Sequence, residues 1–160
     1  MSESKFKTMR HIETVRNYLQ AAQRELMWRS QNHDQSKLES PEVEIFEIYT
    51  SKLRGTTYGS DEYKKHMKEM KVAIDHHNSV NRHHPEYFEN GLEEMNLFDL
   101  MEMIIDWRCA GLRHADGDIL KSLEINKKRF GMSDELHDIL LRTIKYLEKK
   151  HHIYHKADES

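Results

Sequence analysis

The stretch that decides the fold is NLFDLMEMIIDWRCAGLRH, residues 96–114. It is the most hydrophobic part of the chain, and its apolar residues follow helical spacing. Asn96 is a suitable N-cap, and Asp99 stands three residues later, as in a capping box. The stretch therefore predicts a largely buried helix from residue 97 to about residue 114. Asp106 lies in the middle of this helix, where an unpaired carboxylate would be costly.

The sequence on both sides of this stretch predicts further helices. Residues 5–27 carry an amphipathic pattern, and a short helix is expected to begin near His33. Ser40 and Pro41 resemble an N-cap and a first helical residue, opening a helix that runs to about residue 53. The remaining helices are predicted at residues 60–77, 118–129 and 134–150, with a loop or broken helix between residues 78 and 91. We therefore expect an all-α fold: a single compact helical domain of about six helices at residues 1–150, followed by a polar tail at residues 151–160.

The composition narrows the class of protein. A length of 160 residues suits one domain, and a net charge of -3 provides no basic field that would attract nucleic acid. No apolar run reaches the roughly 18 residues that a membrane-spanning helix needs, and MSESKFKTMRH has no hydrophobic segment typical of a signal peptide. The single cysteine, Cys109, excludes an intrachain disulfide and a cysteine-rich zinc site. We expect a cytoplasmic protein without membrane or nucleic-acid partners, and its oligomeric state stays open.

Several polar residues suggest chemistry. His33 and Asp34 are adjacent and open the motif HDQSK at residues 33–37. His11 borders the apolar face of the first predicted helix. Asp106 requires either a basic partner or a cation, because a buried charge is normally paired or bound to metal.

His77 continues an apolar stripe. The preceding members of that stripe, at helical spacing, are Tyr63, Met67, Met70 and Ile74. This periodicity places His77, rather than His76, on the inward face. Such a histidine is either a hydrogen-bonded core residue or a metal ligand.

His83 and His84 follow closely, in the run HHPE at residues 83–86. Neutral imidazole and carboxylate together suit Mn, Fe, Co, Ni or Zn rather than Ca. The combined pattern predicts a metal site, and its candidate ligands are His11, His33, Asp34, His77, His83, His84 and Asp106. The other histidines are expected to face solvent; they are His66, His114, His137, His151, His152 and His155.

The order of these residues resembles that of the HD-domain metal-dependent phosphohydrolase superfamily, whose signature is H…HD…D on an all-helical fold. Here the matching residues are His11, His33-Asp34 and Asp106. Lys37 stands three residues after Asp34 and resembles the lysine of the HD-x-x-K variant in HD-GYP phosphodiesterases, which lies beside the substrate phosphate. More narrowly, HDQSKL, HHPEY and LFDLMEMIIDW are similar to a family of small bacterial and phage proteins catalogued only as a domain of unknown function. That narrower resemblance covers residues 9–147.

The resemblance implies an HD-type fold and a metal-dependent phosphohydrolase acting on a nucleotide or another small phosphate ester through a metal-activated water. It implies one or two divalent transition-metal ions. His11, His33, Asp34 and Asp106 would hold the first ion. Asp34 would bridge to a second ion held by His77 with one or both of His83 and His84, and Asp34 and Lys37 would be the catalytic residues.

Other functions remain open at this point. The Gly-Tyr-Pro element of the cyclic-dinucleotide phosphodiesterases is missing, and HPEY stands at residues 84–87 in its place, so hydrolysis of cyclic-di-GMP is not implied. Some HD-fold proteins resemble this chain yet hold a di-iron centre that performs O₂-dependent oxidation. A third possibility is a non-catalytic module that binds a nucleotide or a partner protein. Glu86 is either a residue that orients a ligand histidine or a surface residue.

Overall fold

The structure, a computed structural model, describes residues 2–54, 60–112 and 118–153, and the regular structure in these ranges is entirely helical. The α-helices are α1 (Glu3–Asn32), α2 (Glu42–Arg54), α3 (Asp61–Glu69), α4 (Lys71–Val80), α5 (Leu97–Gly111), α6 (Ile119–Phe130) and α7 (Asp134–His151). Short 3₁₀ turns occur at Gln35–Leu38, Pro85–Tyr87 and Gly91–Glu94. The all-α prediction is confirmed.

The described residues contain seven α-helices where about six were expected. The additional one arises because the helix predicted at residues 60–77 is divided at Met70 into α3 and α4. The Met70 amide donates to the His66 carbonyl, and the Ile74 amide donates to the Met70 carbonyl. These hydrogen bonds link the two helices, which explains why the apolar spacing reads as one continuous pattern.

The chain divides into two compact units, Met1–Gln35 and Ser36–Ser160. The first unit consists mainly of α1, which begins at the N-cap Ser2 and ends where the His33 amide donates to the Arg29 carbonyl at 2.8 Å. Helix α1 continues five residues beyond the predicted end because residues 28–32 contain neither glycine nor proline. An ion pair of 2.7 Å between Arg29 and Glu25, one turn apart, supports this last part of the helix.

The core of the second unit lies between α5, α6 and α7. Its buried apolar residues are Met95, Leu100, Met103, Ile104, Ile119, Leu123, Met132, Leu140 and Ile144. Trp107 packs against this core. The predicted capping box of α5 is confirmed, because the Asn96 side chain accepts from the Phe98 and Asp99 amides while Asp99 accepts from the Asn96 amide. Helix α5 ends at Gly111, and the last predicted residues of that helix lie outside the described ranges.

The second unit also contains a layer made of α2, α3 and α4. The start of α2 differs from the prediction, because the helix begins at Glu42 rather than Pro41. The Glu39 carbonyl accepts from the amides of Glu42 and Val43 at 3.0 and 2.9 Å. A backbone carbonyl therefore caps α2 where the Ser40 side chain was predicted to do so. As a result Glu42 occupies the first turn, and its side chain is completely buried.

Membrane insertion was not expected, and none of the described helices is long and apolar enough to cross a membrane.

Candidate metal centre

Three histidines lie together at the end of α4. His77 is on the last turns of this helix, and His83 and His84 are on the loop that follows it. The ring centroids are 4.7 Å apart for His77 and His84, 4.2 Å for His83 and His84, and 5.9 Å for His77 and His83. One ring nitrogen of each histidine lies within 4.8 Å of those of the other two. The structure thus brings together the three predicted ligands that follow the HD motif, in a spacing that one or two metal ions could occupy.

The local sequence explains why the chain returns to His77. Asn81 ends α4: its amide donates to the His77 carbonyl, and its side-chain Nδ2 donates to the same carbonyl at 2.8 Å. The His84 amide then donates to the Asn81 carbonyl at 3.1 Å, which closes a turn, and Pro85 begins a 3₁₀ turn. The chain turns at the end of α4, one turn after His77, and this turn carries His83 and His84 back to His77.

The predicted orientation of the two adjacent histidines of α4 is confirmed. His77 is 4% exposed, whereas the side chain of His76 is 38% exposed. His83 is buried and His84 is half-buried. The cluster is therefore made of imidazoles that are largely withdrawn from water.

Glu42 contacts the cluster through His77. Its carboxylate is 0% exposed, and its two oxygens contact two histidines, with Oε1 at 2.7 Å from His76 Nδ1 and Oε2 at 2.9 Å from His77 Nδ1. Ser36 Oγ lies 3.1 Å from the same His77 nitrogen, and Asn81 Nδ2 donates to Ser36 Oγ at 2.8 Å. In this way α2, α4 and the turn containing Ser36 together hold one edge of the His77 ring.

Helix α5 presents an acidic face to the loop. Asp99, Glu102 and Asp106 are spaced by three and four residues, so their side chains share one side of the helix. Asp99 is fully buried and accepts two hydrogen bonds from the Arg82 guanidinium at 3.1 and 2.9 Å, which raise the pKa of Arg82. Glu102 Oε1 lies 3.3 Å from His83 Nδ1. Asp106 is half-buried one turn further along.

Glu42 and Glu102 thus contact clustered histidines, and neither was among the predicted site residues. Glu42 lies in the first turn of α2, where acidic residues are common, so its local sequence does not distinguish it as a site residue. Glu102 could have been identified from its position between Asp99 and Asp106 on the same helix face. For Glu86 the sequence left open a role in orienting a ligand histidine or a surface position; it is exposed and forms an ion pair of 2.7 Å with Arg129.

The first unit carries the other predicted ligands. His11 lies on α1 with an exposed side chain. His33 and Asp34 follow the helix, with His33 Nε2 at 3.6 Å from Asp34 Oδ2, and both side chains are half-buried. Asp34 has a positive φ of 57°. Their role as ligands stays a prediction.

Two further predictions concern residues outside the cluster. Lys37 is half-buried on the 3₁₀ turn after Asp34, and its Nζ lies 6.0 Å from the centre of the Phe46 ring, so its proposed contact with phosphate stays a prediction. His137 was expected to face solvent, and this was wrong: it is 9% exposed on α7. Its Nε2 lies 3.3 Å from Glu124 and its Nδ1 3.1 Å from Asp138, so two carboxylates lie beside the buried ring.

The donor set determines which ions could bind. Imidazole nitrogens combined with carboxylate oxygens favour first-row transition metals such as Mn, Fe, Co, Ni and Zn. Imidazoles whose second nitrogen contacts a carboxylate are typical of metal-binding histidines, and both His77 and His83 have such a contact.

Comparison with known proteins gives one match. No curated protein and no solved structure matches the chain. A sequence profile described as "Family of unknown function (DUF5662)" matches residues 1–155, which agrees with the narrower of the two resemblances. Since this match extends over nearly the whole chain, the protein belongs to the DUF5662 family, a family of unknown function.

Proposed function

We propose that this protein is a metal-dependent phosphohydrolase that acts on a nucleotide or another small phosphate ester. The observation that carries the proposal is the cluster of His77, His83 and His84, in which two of the imidazoles are held by carboxylates. Carboxylates at the second ring nitrogens are typical of metal-binding histidines, because those contacts orient the ligand rings.

Within the second unit, His77, His83, His84 and Asp106 are the proposed ligands, and Glu102 is a further carboxylate beside His83. We add His11, His33 and Asp34 from the H…HD…D order of the sequence, which is also the basis for proposing an HD-type fold. One or two ions of Mn, Fe, Co, Ni or Zn would supply a nucleophilic water near neutral pH and polarise a phosphoryl oxygen.

The remaining steps belong to side chains. Lys37 is proposed to neutralise the negative charge that develops on the phosphate during the reaction. Asp34 is proposed to hold and orient the attacking water as well as to bind metal. The half-buried positions of both residues suit groups that must be reached by a small substrate.

Elemental analysis tests the metal site directly. The protein is purified without added metal, and the metal content of the wild type is compared with that of His83→Ala, Asp34→Ala and His137→Ala. His137 is a matched control because it is a buried, carboxylate-contacted histidine outside the cluster. We expect transition metal in the wild type and in His137→Ala, and loss of metal in the other two variants. Equal metal content in all four proteins, or none in any of them after incubation with each candidate ion, would contradict the proposal.

Activity of the metal-loaded protein tests the reaction. Phosphate release and diester cleavage are measured on a panel of nucleotides, cyclic nucleotides and aryl phosphates, with Asp34→Ala and Lys37→Ala as variants. We expect turnover in the wild type and its loss in Asp34→Ala. Iron together with O₂ consumption and no phosphate release would instead identify a di-iron oxygenase. Thermal stabilisation by a nucleotide without turnover would identify a binding module.

A further inference from the structure

We infer that Glu42 is a positioning residue that forces His77 to present its Nε2 nitrogen to the metal site. The inference rests on the proposed metal site and adds a residue to it. Glu42 is neither a proposed metal ligand nor a proposed contact of the substrate. It would act through His77 alone.

The hydrogen-bonding chemistry of the buried carboxylate carries the argument. An ionised carboxylate can only accept hydrogen bonds. Both Glu42 oxygens lie within 2.9 Å of a histidine Nδ1, one from His76 and one from His77. Each of these short contacts therefore requires the histidine to carry its proton on Nδ1. A neutral imidazole with its proton on Nδ1 has its lone pair on Nε2.

The neighbouring polar groups agree with this assignment. Asn81 Nδ2 has two hydrogens, and these are used by Ser36 Oγ at 2.8 Å and by the His77 carbonyl at 2.8 Å. Asn81 therefore has no hydrogen left to donate to His77 Nδ1, although it lies 3.0 Å away. The Ser36 hydroxyl, 3.1 Å from the same nitrogen, can donate or accept, whereas the Glu42 oxygen at 2.9 Å can only accept. Glu42 is therefore the neighbour that requires a proton on His77 Nδ1.

Burial makes the arrangement specific. Glu42 is 0% exposed, so if the contact between Glu42 and His77 is lost, water cannot take the place of either partner. His76, by contrast, is 38% exposed and can exchange its contact with Glu42 for water. The shared carboxylate should thus control the tautomer of His77 more strictly than that of His76.

Glu42→Gln is the informative substitution because glutamine has nearly the same shape. It offers one accepting oxygen and one donating NH₂ group, so one of the two histidines loses its acceptor and must itself accept at Nδ1. That histidine then carries its proton on Nε2, where it cannot bind metal. If His77 makes this change in even part of the molecules, metal affinity falls. His76→Ala is the matched control, since it removes the exposed partner and leaves the bond between Glu42 and His77.

The experiment has two readouts. Nitrogen-15 NMR of the metal-free wild type and of Glu42→Gln reports which ring nitrogen of His77 is protonated. Titration with Zn²⁺ and Co²⁺ measures metal affinity in the wild type, Glu42→Gln and His76→Ala. We expect the proton of His77 on Nδ1 in the wild type, and a loss of affinity of about 10- to 100-fold in Glu42→Gln with less than about threefold change in His76→Ala.

Two results would overturn the inference: a proton on Nε2 of His77 in the metal-free wild type, or unchanged tautomers and metal affinity in Glu42→Gln. The NMR readout on the wild type needs neither metal nor a variant. A wild type that binds none of the candidate ions would therefore contradict the proposed function, while the tautomer of His77 would still decide the role of Glu42.

Discussion

Asp34 has a backbone φ of 57°, in the left-handed region where residues other than glycine are uncommon. Aspartate tolerates this region better than most residues, but the conformation still costs about 1 kcal/mol or more. Asp34 directly follows the C-cap of α1, a position where helices commonly end with a residue in this region.

The backbone cost at Asp34 can be measured by comparing two variants. Asp34→Gly and Asp34→Ala both remove the carboxylate, and they differ in the β-carbon that opposes a positive φ. We expect the glycine variant to be more stable than the alanine variant by about 1 kcal/mol in urea unfolding of metal-free protein. Both should lose bound metal equally. Equal stability of the two variants would mean that residue 34 does not hold this conformation in solution.

At the scale of elements, the acidic face of α5 and the reversal after α4 build the candidate site. Asp99 binds Arg82, and Glu102 contacts His83, so successive turns of one helix meet successive residues of one loop. The capping box at Asn96 sets where α5 begins, and through it the position of this face. A short sequence signal at a helix start thus contributes to the position of residues one and two turns later.

The contact between α6 and α7 includes an ion pair that makes stability depend on pH. The hydrogen bond from Lys127, with the lysine charge as a second cause, holds the pKa of Asp134 below its ordinary value. A carboxylate whose pKa is lower in the folded than in the unfolded protein stabilises the fold fully above its unfolded pKa. That stabilisation is lost as pH falls through the folded value.

Asp134→Asn is accordingly expected to lower the melting temperature at pH 7, with a difference from the wild type that shrinks as pH falls below about 4. Thermal unfolding followed by circular dichroism between neutral and acid pH measures this difference. Glu135→Gln is the matched control, because Glu135 is an exposed carboxylate in the same first turn of α7. The interpretation fails if both variants show the same dependence on pH.

At the scale of the whole molecule, the second unit combines an apolar core with a polar cluster built on different helices. The core lies between α5, α6 and α7, whereas His77 and Glu42 come from α4 and α2. Helix α5 contributes to both, with Met103 and Ile104 completely buried in the core and Glu102 beside His83. Loss of core packing should therefore disturb the cluster as well.

Leu123→Ala tests this core. Leu123 is 0% exposed on α6, so removing its side chain is expected to lower the free energy of unfolding by about 2–5 kcal/mol. Leu120→Ala on the same helix is the control, because Leu120 is 43% exposed and its loss should cost less than about 1 kcal/mol. Chemical denaturation measures both. Similar losses for the two variants would place the core elsewhere.

The sequence by itself determined the helical class, most helix positions and the inward orientation of His77. These properties depend on apolar spacing and on capping residues such as Asn96 and Ser133, which act within one or two turns of the chain. Helix ends were less predictable where a local signal was absent. Helix α1 ran past residue 27, and a backbone carbonyl rather than Ser40 capped α2.

Only the tertiary structure decided which carboxylates contact the histidines. Glu42 is 35 residues from His77 in the chain, and no spacing rule relates a helix start to a later helix end. The same holds for His137 on α7, whose Nε2 lies 3.3 Å from Glu124 on α6. The periodicity of a stretch can predict that one of its residues faces inward. Which side chain that residue contacts depends on how the helices pack, because packing joins residues that are distant in sequence.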